Sequence, residues 1–265
     1  MKKNPEPKRV IYYRDAMNED YAGTNIDTQT VHADFPFLPD SLFFRVVGWM
    51  AYYLLAIPLV HLYCYLISGY HVKNRKAVKA LKDSGFFLYA NHTHFTDAFL
   101  APIVAFPKRA FVLVSPDTVS IKGIRTLVQM LGAIPIPQDR KALPLFCNAV
   151  ETRAVEGRCI SIFPEAHMWN YCTFVRPFHA GSFRYPISYD KPSIAVAVTY
   201  QRRKCPLFRS PKRTVFVSDP IYPDKTLSAK AAQRKLGEEV ERFIREKCEQ
   251  YSDCKYYDYI QKTDD

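Results

Sequence analysis

Gly85-Phe86-Phe87-Leu88-Tyr89-Ala90-Asn91-His92-Thr93-His94-Phe95-Thr96-Asp97 is the stretch whose reading decides the fold. Its first half is a short apolar, aromatic run after a glycine, which suits a buried strand; from Thr96 the chain continues Asp97-Ala98-Phe99-Leu100-Ala101, like a capped helix. A strand that passes through a polar turn into a helix is the unit of an α/β fold, and such folds place their chemistry at strand carboxyl ends. His92 falls at such an end. Asp97, in or near the first helical turn, can fold back to accept a hydrogen bond from one ring nitrogen of His92, fixing the tautomer and freeing the other nitrogen as a general base. No serine or cysteine follows at nucleophile-elbow spacing, so the hydroxyl such a base activates should belong to the substrate. A histidine that only caps the following helix would give the same spacing.

Outward from this unit, apolar runs alternate with helical patterns: 110–114, a helix through 123–131, 133–136, a helix over 143–154, 159–163, then 194–198. Residues 214–218 read as a hairpin partner of the last run. A helix over 228–249 carries Leu236, Val240, Phe243 and Ile244 on one stripe. The rhythm predicts an α/β domain, a mixed, largely parallel sheet with flanking helices, preceded by an N-terminal membrane-docking helical segment.

Ile160-Ser161-Ile162-Phe163-Pro164-Glu165 is a second strand ending at a polar break, where Pro164 forbids continuation of the ladder. On neighbouring parallel strands Glu165 would face His92 across one cleft and bind a substrate hydroxyl; a helix-capping carboxylate is the plainer alternative. Gly132-Ala133-Ile134-Pro135-Ile136-Pro137-Gln138-Asp139-Arg140 is a third such strand, whose loop offers the Arg140 guanidinium to phosphate, or simply to solvent.

A hydrophobic content of 48% with a mean hydropathy of -0.20 excludes a multi-span membrane protein and localises any membrane contact. Between residues 42 and 70 only Arg45 is charged at neutral pH, and 46–67 is 22 largely apolar residues, long enough to cross a bilayer. Pro58 and His61 interrupt it, so a bent, re-entrant or interfacial helical pair fits as well as a straight span; a buried core helix is the remaining alternative. The basic residues that follow, His71, Lys73, Arg75, Lys76 and Lys79, place the rest of the chain on the cytoplasmic side. The 7 cysteines agree, being scattered and without a Cys-x2-Cys pair, so neither a disulfide framework nor a zinc site is indicated. The net charge of +11 is concentrated in 201–213, with six basic residues and no acidic one. That run suits anionic headgroups or a carrier's phosphates, or is a solvated hairpin loop; nucleic acid is not expected, since no recognition motif accompanies the charge.

As an ordered set these blocks resemble the glycerolipid acyltransferases, the family of lysophosphatidic acid and glycerol-3-phosphate acyltransferases. Asn91-His92 with Asp97 is similar to its Asn-His-x4-Asp signature, Phe163-Pro164-Glu165 to its Phe-Pro-Glu-Gly block, and 132–136 to its Gly-x-Ile-Pro-Ile strand. The resemblance implies acyl transfer from an acyl-CoA or acyl-carrier-protein thioester to the free hydroxyl of a lysophospholipid, with 1-acyl-glycerol-3-phosphate the expected acceptor, in phospholipid biosynthesis. His92 would be the base and Asp97 its partner; Asn91, Glu165 and Arg140 would bind substrate, with no metal or other cofactor. The implied organisation is a lead-in (1–41), a membrane-associated helical segment (42–70), the acyltransferase domain (71–250) and a tail (251–265). Departures concern the acceptor: Ala166-His167-Met168-Trp169 follows Glu165 where the family has Gly-Thr-Arg-Ser, Gln138 stands at a phosphate-binding arginine's place, and Ala195 replaces a proline. Two rival readings follow, a metal-dependent hydrolase using His92 and His94, and a catalytically degenerate lipid-binding member of the family.

Overall fold

A computed structural model describes residues 7–23, 26–121, 123–203 and 210–262. In chain order its strands are β1 (Arg9–Tyr13), β2 (Tyr70–Lys73), β3 (Phe86–Ala90), β4 (Ala110–Val114), β5 (Ala133–Pro135), β6 (Cys159–Ile162), β7 (Ser193–Gln201), β8 (Lys212–Val217) and β9 (Tyr257–Gln261). Seven form one sheet in the order β2-β8-β7-β3-β6-β4-β5. From β7 to β5 every pairing is parallel; β8 is antiparallel to β7, and β2 runs parallel to β8. The sheet is mixed and largely parallel, as the alternating pattern predicts.

β3 lies near its centre with all five residues buried. Phe87 and Tyr89 enter a core with the helix Leu143–Val155 and the C-terminal helix Ala229–Tyr251, while Phe86, Leu88 and Ala90 enter a second core with the helix Phe95–Ala105. A strand buried on both faces needs an unbroken apolar run, and 86–90 is one. In the C-terminal helix Leu236, Val240 and Ile244 face the core, and Ser228 caps the first turn through the backbone N–H of Ala231.

Between the alternatives left open for the apolar segment, the structure has one continuous helix, Leu42–Ile67. Pro58 has no N–H to donate, and a turn of wider π-helical winding over Ala51–Ala56 precedes it and lets the rod continue. Only 17% of its most apolar window is buried, so it is not an ordinary core helix. Tyr52, Ile57 and Cys64 face the protein, while Leu42, Phe43, Leu54, Leu55, Leu59 and Leu66 face outward. The irregular lead-in and the tail, in turn, meet as a parallel pair, β1 with β9, over the buried Trp169.

Candidate active site

β3 and β6 are neighbours, Tyr89 opposite Ile162, so the segments that leave them begin side by side. The turn after β3 wraps around one carboxylate. Asp97 is fully buried, and its Oδ2 accepts from the backbone N–H groups of Thr93 (2.6 Å) and His94 (2.7 Å) while facing His92 Nδ1 at 3.3 Å. A carboxylate only accepts, so Nδ1 carries the hydrogen and Nε2 the lone pair. The imidazole stacks on Phe163 from the end of β6, centroids 4.3 Å apart, and remains 20% exposed. The arrangement can take a proton from a hydroxyl brought to Nε2.

His94 is differently placed. Its Nδ1 meets Thr96 Oγ1 at 2.8 Å and accepts from the Thr96 backbone N–H, and its Nε2 lies 3.4 Å from the Tyr171 hydroxyl. Burial, helped by the nearby Arg213 cation, pushes it down to about 4, so it is neutral at physiological pH. Both nitrogens are engaged, and among the described residues no group of three His, Cys, Asp or Glu side chains is placed to hold a metal ion. The hydrolase alternative therefore has no ligand set in this site.

The remaining expected site residues divide. Asn91 is fully buried, and its amide exchanges hydrogen bonds with the backbone of Val198 on β7, donating at 3.0 Å and accepting at 2.8 Å. It extends the β3–β7 ladder by one rung and has no free group for substrate. Glu165 sits on the neighbouring strand end as expected, yet its carboxylate is turned inward: it accepts from the His92 backbone N–H (3.1 Å), the Arg176 backbone N–H (3.2 Å) and the Arg176 guanidinium (2.8 Å). At 1% exposure it tethers the two strand ends instead of facing the cleft. Burial raises its acid above the ordinary carboxylate range, Arg176 opposing. Arg140 is exposed after β5, and three strand spacings, about 14 Å, separate that strand from β3. No contact joins it to His92.

Two further cations are buried around these strand ends. Arg176 is sealed under Trp169, 4.9 Å from the ring centroid, and donates to the His167 carbonyl as well as to Glu165. Arg213, 3% exposed, donates to Thr96 Oγ1 (3.1 Å) among the rings of Tyr70, Tyr171 and Tyr200. It ends the basic run 201–213, read as suited to anionic headgroups or a carrier's phosphates or as a solvated loop, of which residues 204–209 lie outside those described. The period-2 spacing of Arg213, Val215 and Val217 was the signal, for these share the buried face of β8.

At the carboxyl ends of β4, β5 and β6 opens a cleft of about 310 Å³ lined by Leu113, Ile136, Leu143, Ile162 and Tyr185, with Arg184 and His179 also lining it. Residues 69–199, from the start of β2 into β7 and including both strand ends, match the family model described as Acyltransferase. The central domain belongs to the acyltransferase family. No curated protein matches the chain significantly. Among solved structures it is similar to the crystal structure of the 1-acyl-sn-glycerophosphate (LPA) acyltransferase PlsC from Thermotoga maritima, at 18% identity and a TM-score of 0.51 over 77% of this chain and 78% of that one. At that identity the likeness is one of fold.

Within the acyltransferase domain two of the three departures have structural accounts. Ala166 keeps a left-handed backbone, φ +59°, at the family's glycine position. Trp169 donates its backbone N–H to the His92 carbonyl and its indole N–H to the Glu19 carbonyl, so this loop locks the strand end to the lead-in. Gln138 accepts from the backbone N–H of Val31, again in the lead-in.

Proposed function

We propose that this acyltransferase moves an acyl group from a coenzyme A or acyl-carrier-protein thioester to the free hydroxyl of a lysophospholipid, with 1-acyl-glycerol-3-phosphate the first acceptor to test. The observation that carries the proposal is the His92–Asp97 pair, 3.3 Å apart at the open end of β3 inside the acyltransferase domain. His92 Nε2 takes the proton of the acceptor hydroxyl as its oxygen attacks the thioester carbon, and Asp97 stabilises the imidazolium. The tetrahedral adduct then expels the thiolate, and the proton on His92 neutralises it. A thiolate leaves without an obligatory acid, so one oriented base is enough. The cleft at the carboxyl ends of β4, β5 and β6 is apolar enough for an acyl chain, at about 0.8 kcal/mol per methylene buried and with little polar discrimination.

The outward face of Leu42–Ile67 supports docking on a bilayer, and the basic residues after it favour a cytoplasmic placement. The deciding experiment offers detergent-solubilised protein labelled acyl-CoA or acyl-carrier protein with a panel of lysophospholipids. Transfer to at least one acceptor, lost in His92→Ala and indifferent to chelators, is expected. Lysophospholipid binding without turnover would favour the lipid-binding reading instead.

A further inference from the structure

At the edge of the sheet opposite His92 the starts of β4, β5 and β6 meet the first turns of the apolar helix around a cleft of about 700 Å³. Arg45, Arg109, Arg153 and Arg158 line it, against Asp40 and Glu156. Glu156 is engaged by Arg153 at 2.8 Å and approached by Arg158 at 3.6 Å. No acid pairs with Arg45 or Arg109 among the described residues. Arg109 is held in place: its Nη2 donates to the Met130 carbonyl at 2.6 Å, and its guanidinium lies between the rings of Tyr52 and Phe111, 5.3 Å from each centroid. The buried Nε–H of Arg109 has no hydrogen-bond partner, and that of Arg158 has the Glu156 carboxylate at 3.6 Å, beyond hydrogen-bond distance. Burial is the main cause that holds the Arg109 pKa below its ordinary value, with Tyr52 opposing and the Arg153 and Arg158 cations adding to the lowering.

The cleft is also amphiphilic. Phe37, Leu38, Leu42, Val46 and Trp49 form its other wall, and Leu42, Val46 and Trp49 belong to the exposed apolar side of the helix. A helix that docks by this side carries the arginines to headgroup depth.

We propose that this arginine cleft binds the phosphate of an anionic phospholipid, at a site separate from the catalytic end. β6 alone keeps Arg158 roughly 20 Å from Glu165. The guanidiniums take the phosphate oxygens in charge-assisted hydrogen bonds, and the Leu42–Trp49 wall takes the first acyl methylenes. The site anchors the protein beside anionic lipid whether or not the acyl-transfer reading holds.

The test is flotation of the full chain with phosphatidylcholine vesicles, with and without phosphatidic acid. At about 1 kcal/mol per arginine near a charged surface, Arg45→Gln with Arg158→Gln is expected to weaken binding to the anionic vesicles roughly 30-fold while leaving neutral ones unaffected. The control, Lys230→Gln with Arg234→Gln on the C-terminal helix, removes the same charge from an exposed site and should change binding less than about twofold. Equal losses in both pairs, or none in the first, overturn the proposal. Soluble short-chain phosphatidic acid should also shift the emission of Trp49, which lines the cleft, in the wild type and not in the first pair. A shift given by free coenzyme A and not by the lipid overturns it as well.

Discussion

At the end of β3, Asp97 faces His92 at 3.3 Å and leaves the ring 20% exposed; at the end of β6, Glu165 meets Arg176 at 2.8 Å with both side chains sealed. The adjacent strand ends carry similar ingredients and use them in opposite ways. The first carboxylate gathers two backbone N–H groups and an imidazole on one oxygen, which fixes the ring while leaving it partly exposed. The second accepts from the backbone N–H groups of His92 and Arg176 and from the buried Arg176 guanidinium. A carboxylate beside a histidine therefore says little about its role until its hydrogen bonds are counted. On the proposed reading the β3 end carries the base, and the β6 end holds it still.

Four substitutions break or sharpen that contrast, from the largest expected effect downward. Asp97→Asn keeps an oxygen for the Thr93 and His94 N–H groups but no charge for an imidazolium; transfer should fall by roughly 10²–10⁴-fold, with the melting temperature nearly unchanged. Full activity in that variant would dissolve the pair. Arg176→Met strands a buried carboxylate and should cost about 3–5 kcal/mol in urea unfolding, whereas a double variant with Glu165→Leu should recover part of the loss. A change under about 1 kcal/mol would show that the β6 tether is not structural.

The third concerns His94. Its folded value of about 4 lies below the ordinary 6.5, so as pH falls from about 6.5 the unfolded chain takes up a proton that the folded one refuses. The stabilisation is complete above that pH and is lost towards pH 4, about 3 kcal/mol in all. Glu165, raised by burial, acts with the opposite sign, so the difference between wild type and His94→Gln isolates the histidine. Parallel stability–pH curves for the two would remove His94 from the account. The smallest effect belongs to Ala166→Gly: relief of the left-handed alanine offsets the glycine's greater freedom in the unfolded chain, leaving a gain below about 1 kcal/mol. A loss of stability would mean that the Ala166 methyl is needed for packing.

Much of this was legible in the chain. The apolar run 86–90, the turn through His92 and the capped start at Thr96 specify strand, loop and helix within a dozen residues, and the structure has them in that order. The outward-facing helix was visible as 22 uncharged residues, though not its continuity through Pro58, which depends on a neighbouring turn opening to π winding. The strand of the lead-in was not visible, because β1 has no partner until β9 arrives from the other end of the chain.

Spacing and periodicity by themselves determined the α/β rhythm and set Asp97 within reach of His92, since both depend on residues close together in sequence; the family blocks came from resemblance. Only the tertiary structure decided which polar groups remain free. Asn91 is taken up by Val198, 107 positions away, Glu165 by Arg176, and Thr96 by Arg213, 117 positions away. A hydrogen-bonding group keeps its capacity for substrate only where no other part of the fold reaches it, and which parts reach it is a property of the folded chain.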